Sequence, residues 1–285
     1  MKKHFTLRDG NVLAYEDIGK GTETVVFLHG WTSNRKIYQE PAKMLSHEAR
    51  CIIYDQRGHS DSRKAGGTEK DPVTMETLAT DLHEIITGLS LAPVTLVGWS
   101  MGAGVIMNYV RLFGCEGIKQ VILCDMTPKQ LNDETWNLGL MRGKYTREKM
   151  EMDEGVNFHD LYLKFARKAL SQKKFHPDFL LRIAIWRKLM NYDTTVLETL
   201  SKSMKLQDNR DVIPTITCPV TYFYADPGTI FLPGLKDWYR ENVKSAYREI
   251  PFPDSSHMLV SEYPVRFAEE VGKSLAVYHR RRQTN

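Results

Sequence analysis

The sequence predicts an α/β architecture: a mostly parallel sheet with helices on both faces, opened by an antiparallel hairpin and interrupted by a helical insertion. Three observations predict it. Short apolar runs, each closed by a polar or turn residue, alternate with helical patterns from residue 24 to residue 124. The alternation stops over residues 128–209, where only helical patterns appear. It resumes at residue 218, so the two ends of the chain complete one sheet. The expected organisation is therefore a core of residues 1–127 and 210–285 with residues 128–209 as a helical lid.

The elements follow in order. Residues 3–7 and 12–17 flank Asp9-Gly10-Asn11 and read as a hairpin. The runs at 24–28, 50–54, 94–97 and 119–124 are continuously apolar at their centres, as strands buried on both faces require. They end at His29-Gly30, Asp55, Gly98 and Asp125. Residues 74–89 place Met75, Leu78, Leu82, Ile85, Ile86 and Leu89 at helical spacing. Further helices are expected near Trp136 and over residues 156–170, 177–190 and 194–204. Strands follow at 218–224 and 247–250. A last helix is expected over residues 264–279, with Pro264 in its first turn.

Composition bounds the function. The chain has 285 residues, enough for a large core. Lys plus Arg is 39 and Asp plus Glu is 35, a net of +4 that gives no reason to expect nucleic acid. Arg280-Arg281-Arg282 reads as a solvated helix end, where cations suit the helix dipole. No apolar run is long enough to span a membrane. The first residues carry charge without an apolar run behind them, so no signal peptide is expected. Cys51, Cys115, Cys124 and Cys218 form no C-x-x-C pair and read as buried thiols of a reducing, cytoplasmic compartment. No metal-ligand cluster or phosphate-binding glycine loop is visible, so neither a metal nor another cofactor is expected. The sequence leaves the oligomeric state open.

The residues that carry chemistry stand at the C-terminal ends of the expected parallel strands, where open α/β sheets place their sites. Gly98-Trp99-Ser100-Met101-Gly102 follows a strand and opens a helix, the context of a nucleophile elbow. A serine on so sharp a turn needs small neighbours, and the turn lifts its Oγ above the sheet. His29-Gly30-Trp31 ends a neighbouring strand. The N–H of Trp31, with that of Met101, is the candidate oxyanion hole. A serine hydroxyl needs a base, and His257, between the last strand and the last helix, is the candidate. His29 is a rival whose place before Gly30 suits a structural role better.

These marks, with Asp55-Gln56-Arg57-Gly58-His59-Ser60-Asp61-Ser62 between them, resemble the α/β-hydrolase fold, in its esterase, non-haem haloperoxidase and perhydrolase-like branch. The resemblance covers nearly the whole chain except the insertion. It implies that Asp55 and Arg57 tie neighbouring loops together. Ser60 stands where the family usually has glycine.

The third triad member is less plain. In most of the family an acid follows the strand that ends here at Tyr224, but Gly228 occupies that position. Asp226 comes two residues early and precedes Pro227. Some branches instead place the acid where Asp125 stands, directly after the 121–124 run. Both keep the order Ser, Asp, His. Asp125 is the first candidate, Asp226 its rival and Asp254 an outsider.

The insertion is rich in Met, Leu, Phe and Trp, among them Trp136, Met141, Phe158, Phe165, Ile185, Trp186 and Met190. Some of these must roof the site, so the substrate is expected to be a largely apolar small molecule. Trp31, Trp99, Trp136 and Met141 are its expected contacts. The function expected is serine hydrolysis of a carboxylic ester or thioester through an acyl-enzyme. C–C bond hydrolysis, amide hydrolysis, or a small-molecule receptor with little turnover are the alternatives.

Overall fold

The computed structural model of the protein describes residues 1–63, 65–66, 72–169 and 193–283. The helix expected over residues 177–190, with Ile185, Trp186 and Met190, lies outside the described residues.

Eight strands make one sheet: β1 (Lys2–Thr6), β2 (Val12–Ile18), β3 (Glu23–Leu28), β4 (Ala49–Tyr54), β5 (Val94–Trp99), β6 (Ile118–Cys124), β7 (Val220–Pro227) and β8 (Tyr247–Ser255). Their order is β1-β2-β4-β3-β5-β6-β7-β8. The β1–β2 and β2–β4 pairs are antiparallel and every other pair is parallel. The hairpin and the parallel core expected from the sequence are therefore both present.

Side-chain alternation builds two apolar layers. Val26, Leu28 and Leu96 face one layer with helices α2 (Met75–Gly88) and α3 (Met101–Phe113). Val25, Phe27 and Val97 face the other, with α1 (Gln39–Met44) and the C-terminal helix, Pro264–Gln283. All six residues of β5 are buried, as a strand covered on both faces must be. Thr74 caps α2 reciprocally with Thr77. Arg280, Arg281 and Arg282 fall in the last turns of the C-terminal helix, and their side chains lie outside the described residues.

The chain leaves the sheet after β6 and returns to it at β7, the neighbouring strand. The longer described helices in between are α4 (Arg147–Met152), α5 (Phe158–Ala169) and α6 (Thr194–Leu206). The helix expected near Trp136 is reduced to one irregular turn, Leu140–Gly143, in which Met141 and Arg142 have positive φ. Asn132 and Asp133 capture the backbone there: Gly139 N–H donates to Asn132 Oδ1 (2.8 Å) and Thr135 N–H to Asp133 Oδ1 (2.8 Å). Such side-chain bonds compete with a helical ladder, and the segment becomes a series of turns.

Two elements exceed the sequence reading. Helix α7 (Leu235–Asn242) anchors through Leu235, Trp238 and Tyr239, an apolar stretch too short to stand out among its polar neighbours. Strand β8 runs on through Pro251 and Pro253 to Ser255. It is an edge strand with one neighbour, where a missing N–H costs little. Of the four free cysteines, Cys51, Cys124 and Cys218 are buried and Cys115 is half-buried.

Candidate active site

The site begins at the turn from β5 to α3. Ser100 sits at φ 54° and ψ −120°, a region that side-chain-bearing residues rarely occupy. Close packing holds it there. A Cβ at Gly98 would stand 2.4 Å from Gly102 O, and one at Gly102 would stand 2.1 Å from Leu28 O. Both obstacles are backbone and cannot swing aside. Gly102→Ala is therefore expected to destabilise the fold by about 3 kcal/mol or more, as forced overpacking does. A denaturant midpoint unchanged from the parent would contradict that packing reading.

Adjacent strands carry the partners. Ser100 N–H donates to Cys124 O (3.0 Å), which fixes the elbow against the end of β6. The next residue, Asp125, turns at φ 44° and its N–H donates to Phe223 O (2.8 Å). Asp125 Oδ1 accepts from Ala225 N–H (3.2 Å), leaving Oδ2 at 2.7 Å from His257 Nδ1. His257 Nε2 lies 2.9 Å from Ser100 Oγ. His257 and Asp125 are almost fully buried. The structure thus brings Ser100, His257 and Asp125 into one hydrogen-bonded line. Asp226 is exposed on β7 and pairs in register with Pro253. It makes no hydrogen bond to His257.

The loop carrying His257 is held on four sides. Trp99 Nε1 donates to His257 O (2.8 Å). His257 N–H lies 3.1 Å from both Ala169 O, at the end of α5, and Thr229 Oγ1. Thr229 Oγ1 donates in turn to Ala169 O (2.6 Å). Glu262 accepts from Ser256 N–H and Ser256 Oγ, both at 2.8 Å. The sequence reading missed Thr229, Ala169 and Glu262 as supports. Thr229 and Ala169 are far from His257 along the chain, and a lone Thr, Ala or Glu carries no motif.

The loop after β3 passes close over the elbow. A Cβ at Gly30 would meet the Trp99 ring at 2.8 Å and Ser100 Cβ at 3.2 Å. The N–H groups of Trp31 and Met101 find no acceptor among the described residues. His29, the rival base, is engaged elsewhere. Its Nε2 accepts from Gln56 N–H (3.0 Å) and its Nδ1 donates to Gly30 O (2.9 Å). His59 repeats the device: Nε2 accepts from Thr32 N–H (3.2 Å) and Nδ1 donates to Arg57 O (2.7 Å). Backbone donors therefore fix both rings as neutral tautomers. The loops are tied further by Arg57, bidentate to Asp81 (2.6 and 2.8 Å), and by Asp55, which holds Arg35.

Burial lowers the pKa of His29 to about 4, and burial with the adjacent His29 ring lowers that of His59 to about 3. Both lie below the ordinary histidine value, so the unfolded chain binds protons that the folded one refuses. Stability is full above about pH 6.5 and is lost as pH falls towards the folded values. At about 1.4 kcal/mol per pH unit, each histidine withdraws roughly 2–3 kcal/mol by about pH 4.5. Urea midpoints are expected to fall steeply below about pH 6. A flat profile down to about pH 4.5 would show that the pair does not set acid stability.

A cavity of about 1830 Å³ opens over Ser100 and His257. Trp31, Trp99 and Met141 line it, with Phe158, Phe165 and Phe231. The Trp31 ring is packed edge-on by Phe158 and Phe165, and its Nε1 donates to Leu197 O (2.9 Å). Trp136 does not reach this cavity. Its Nε1 donates to Lys129 O (2.8 Å) and its ring packs edge-on against Trp238, so the turn-forming segment around it points the indole away. Among the described residues no cluster of His, Cys, Asp or Glu could hold a metal ion, and no helix is long and apolar enough to cross a membrane.

The model of the alpha/beta hydrolase fold family matches residues 23–262. The chain belongs to this family. It is 36% identical over 124 residues to a non-heme chloroperoxidase of Kitasatospora aureofaciens, a match covering 43% of each chain. The match thus spans less than half of that relative's length. An esterase from Exiguobacterium antarcticum superposes with a TM-score of 0.81 at 22% identity, over 97% of this chain and 100% of that one. A bromoperoxidase from Bacillus anthracis superposes with a TM-score of 0.78 at 20% identity, over 98% and 100%. These superpositions speak to the fold this α/β-hydrolase shares.

Proposed function

We propose that this α/β-hydrolase cleaves a carboxylic ester or thioester of a largely apolar small molecule through an acyl-enzyme. The observation that carries the reading is the unbroken line from Ser100 Oγ through His257 to Asp125, at 2.9 and 2.7 Å. Ser100 Oγ attacks the acyl carbon as His257 Nε2 takes its proton. Asp125 holds Nδ1–H, which fixes the tautomer and stabilises the imidazolium that forms. The N–H groups of Trp31 and Met101 receive the oxyanion, charge that exists only in the transition state. His257 then protonates the leaving alcohol or thiol. Water, deprotonated by the same ring, releases the acid and restores Ser100.

In this reading residues 128–209 form the lid over a core of residues 1–127 and 210–285. Support comes from the cavity, whose lining alternates between the two: Trp31, Trp99 and Phe231 below, Met141, Phe158 and Phe165 above. The apolar walls favour an acyl or alcohol chain with few polar groups. An esterase is among the solved structures that share this fold.

The test is labelling by a fluorophosphonate probe together with turnover of p-nitrophenyl esters of increasing chain length. Labelling at Ser100 with ester turnover that improves with chain length is expected. Absence of labelling would sink the hydrolase reading in favour of a binding protein on the same fold. Labelling with turnover of amides but not of esters would move the substrate to the amide class.

A further inference from the structure

The walls of the catalytic cavity are not uniformly apolar. Seven lysines and three carboxylates stand among its described lining residues. Most of these lysines are exposed at the mouth or already used. Lys149 Nζ donates to Lys144 O (2.8 Å), Lys164 pairs with Asp153 (3.0 Å) and Lys202 with Glu154 (3.1 Å).

Lys205 is different. It sits in the last turn of α6, between buried Met204 and the exposed helix end, and is only half-exposed. Its Nζ stands 5.5 Å from the centroid of the Tyr145 ring. Tyr145 is buried and packs in the same apolar cluster as Leu140, Met150 and Met204. No carboxylate among the described residues lies within ion-pair distance of Lys205 Nζ. The acid that acts on it, Asp153, is already held by Tyr145 OH (2.9 Å) and Lys164. Burial and the repulsion of Lys164 both lower the pKa of Lys205. Two ammonium groups therefore share one carboxylate inside the cavity that also holds Ser100.

A cation turned inward on an apolar wall is costly unless something neutralises it. A surface lysine gains nothing from such a place. We propose that Lys205, with the Tyr145 face beneath it, is the seat for an anionic group on the substrate, a carboxylate or a phosphate, so that the molecule cleaved is a largely apolar ester with one charged end. This rests on the hydrolase reading for the word ester but not for the binding, which needs no turnover. The arrangement sets orientation: the anion anchors under α6, and the apolar remainder reaches across the cavity towards the serine. It also disfavours neutral analogues, because they leave the half-buried ammonium without an anion of its own.

The experiment is calorimetric binding of two matched ligands, the N-butyl monoamide of adipic acid and the neutral N-butylhexanamide. Both are measured at neutral pH on the parent chain and on Lys205→Met and Lys205→Arg. The parent is expected to prefer the anionic ligand by about tenfold or more, the size of a charge-assisted contact. Lys205→Met should erase that preference, Lys205→Arg should keep most of it, and added salt should weaken it. Adipate mono-p-nitrophenyl ester and p-nitrophenyl hexanoate give the kinetic counterpart, in which the preference appears in KM. Equal affinity for the two ligands in the parent, or a preference that survives Lys205→Met, overturns the proposal. Discrimination without turnover of either ester would uphold the anion seat while removing the hydrolase reading. Inorganic phosphate competing better than acetate for the seat would assign the anion as a phosphate.

Discussion

Asp125→Asn is expected to lower kcat by about four orders of magnitude, while Asp226→Asn stays within about twofold of the parent. The two aspartates differ by geometry. Asp125 Oδ2 is 2.7 Å from His257 Nδ1 in a buried setting, and its other oxygen is fixed by Ala225 N–H. An amide there keeps the shape, but its NH₂ can face Nδ1 only if the ring moves its proton to Nε2. That is the wrong tautomer for taking a proton from Ser100. The loss belongs in kcat more than in KM, because the acid acts when the imidazolium forms. Asp226, exposed on β7, has no path to the ring. If the Asp226 variant alone loses orders of magnitude, the acid assignment fails and the loop after β7 must rearrange when substrate binds.

The contrast shows what was legible in the sequence and why. Ser100 and His257 were readable because each stands in a local context that no alternative uses as well: small residues around a strand-to-helix serine, and a histidine between a last strand and a last helix. The acid was only half readable. It comes from whichever strand end lies beside the histidine loop, and that depends on register between β6 and β7, over pairs such as Cys124 and Phe223. One sequence gives strands but not their alignment. The supports of His257 were invisible for a similar reason. The bond from Thr229 to Ala169 joins residues 60 apart, and the bond from Trp99 to His257 joins residues 158 apart. Local pattern decided the elements, and tertiary placement decided their service to the site.

Placement also separated tryptophans that composition treats alike. Trp31 carries one of the candidate oxyanion N–H groups, Trp99 precedes Ser100, and both line the cavity. Trp136 has the same apolar body but follows Asn132 and Asp133, whose side chains fold the backbone into turns. Its indole then satisfies Lys129 O and packs edge-on against Trp238. The apolar richness of residues 128–209 suggested a roof, and Phe158 and Phe165 of that segment pack on Trp31. It also hid Lys205, since a lysine near a helix end reads as an ordinary solvated residue.

Ser100→Ala should remove about a million-fold in kcat and leave the fold intact. The two halves of this expectation have separate physical origins. In the proposed reaction catalysis needs the hydroxyl, since Ser100 Oγ is the group 2.9 Å from His257 Nε2. What survives is the modest help of the Trp31 and Met101 N–H groups, which can still polarise a bound carbonyl for attack by water. Stability does not depend on the hydroxyl to the same degree. The strained backbone at φ 54° is imposed by the contacts of Gly98 with Gly102 and of Gly102 with Leu28, and these are unchanged in the variant. Only the bond to His257 is lost, and His257 keeps Asp125, Trp99, Thr229 and Ala169 as partners. A net change of about 1 kcal/mol or less follows. Thermal melts and fluorophosphonate labelling run side by side decide it. A variant that melts far below the parent would mean the hydroxyl holds the elbow together, and its inactivity would then say little about the nucleophile. A variant that folds as the parent does and still turns over esters at an undiminished rate would remove Ser100 from the reaction altogether.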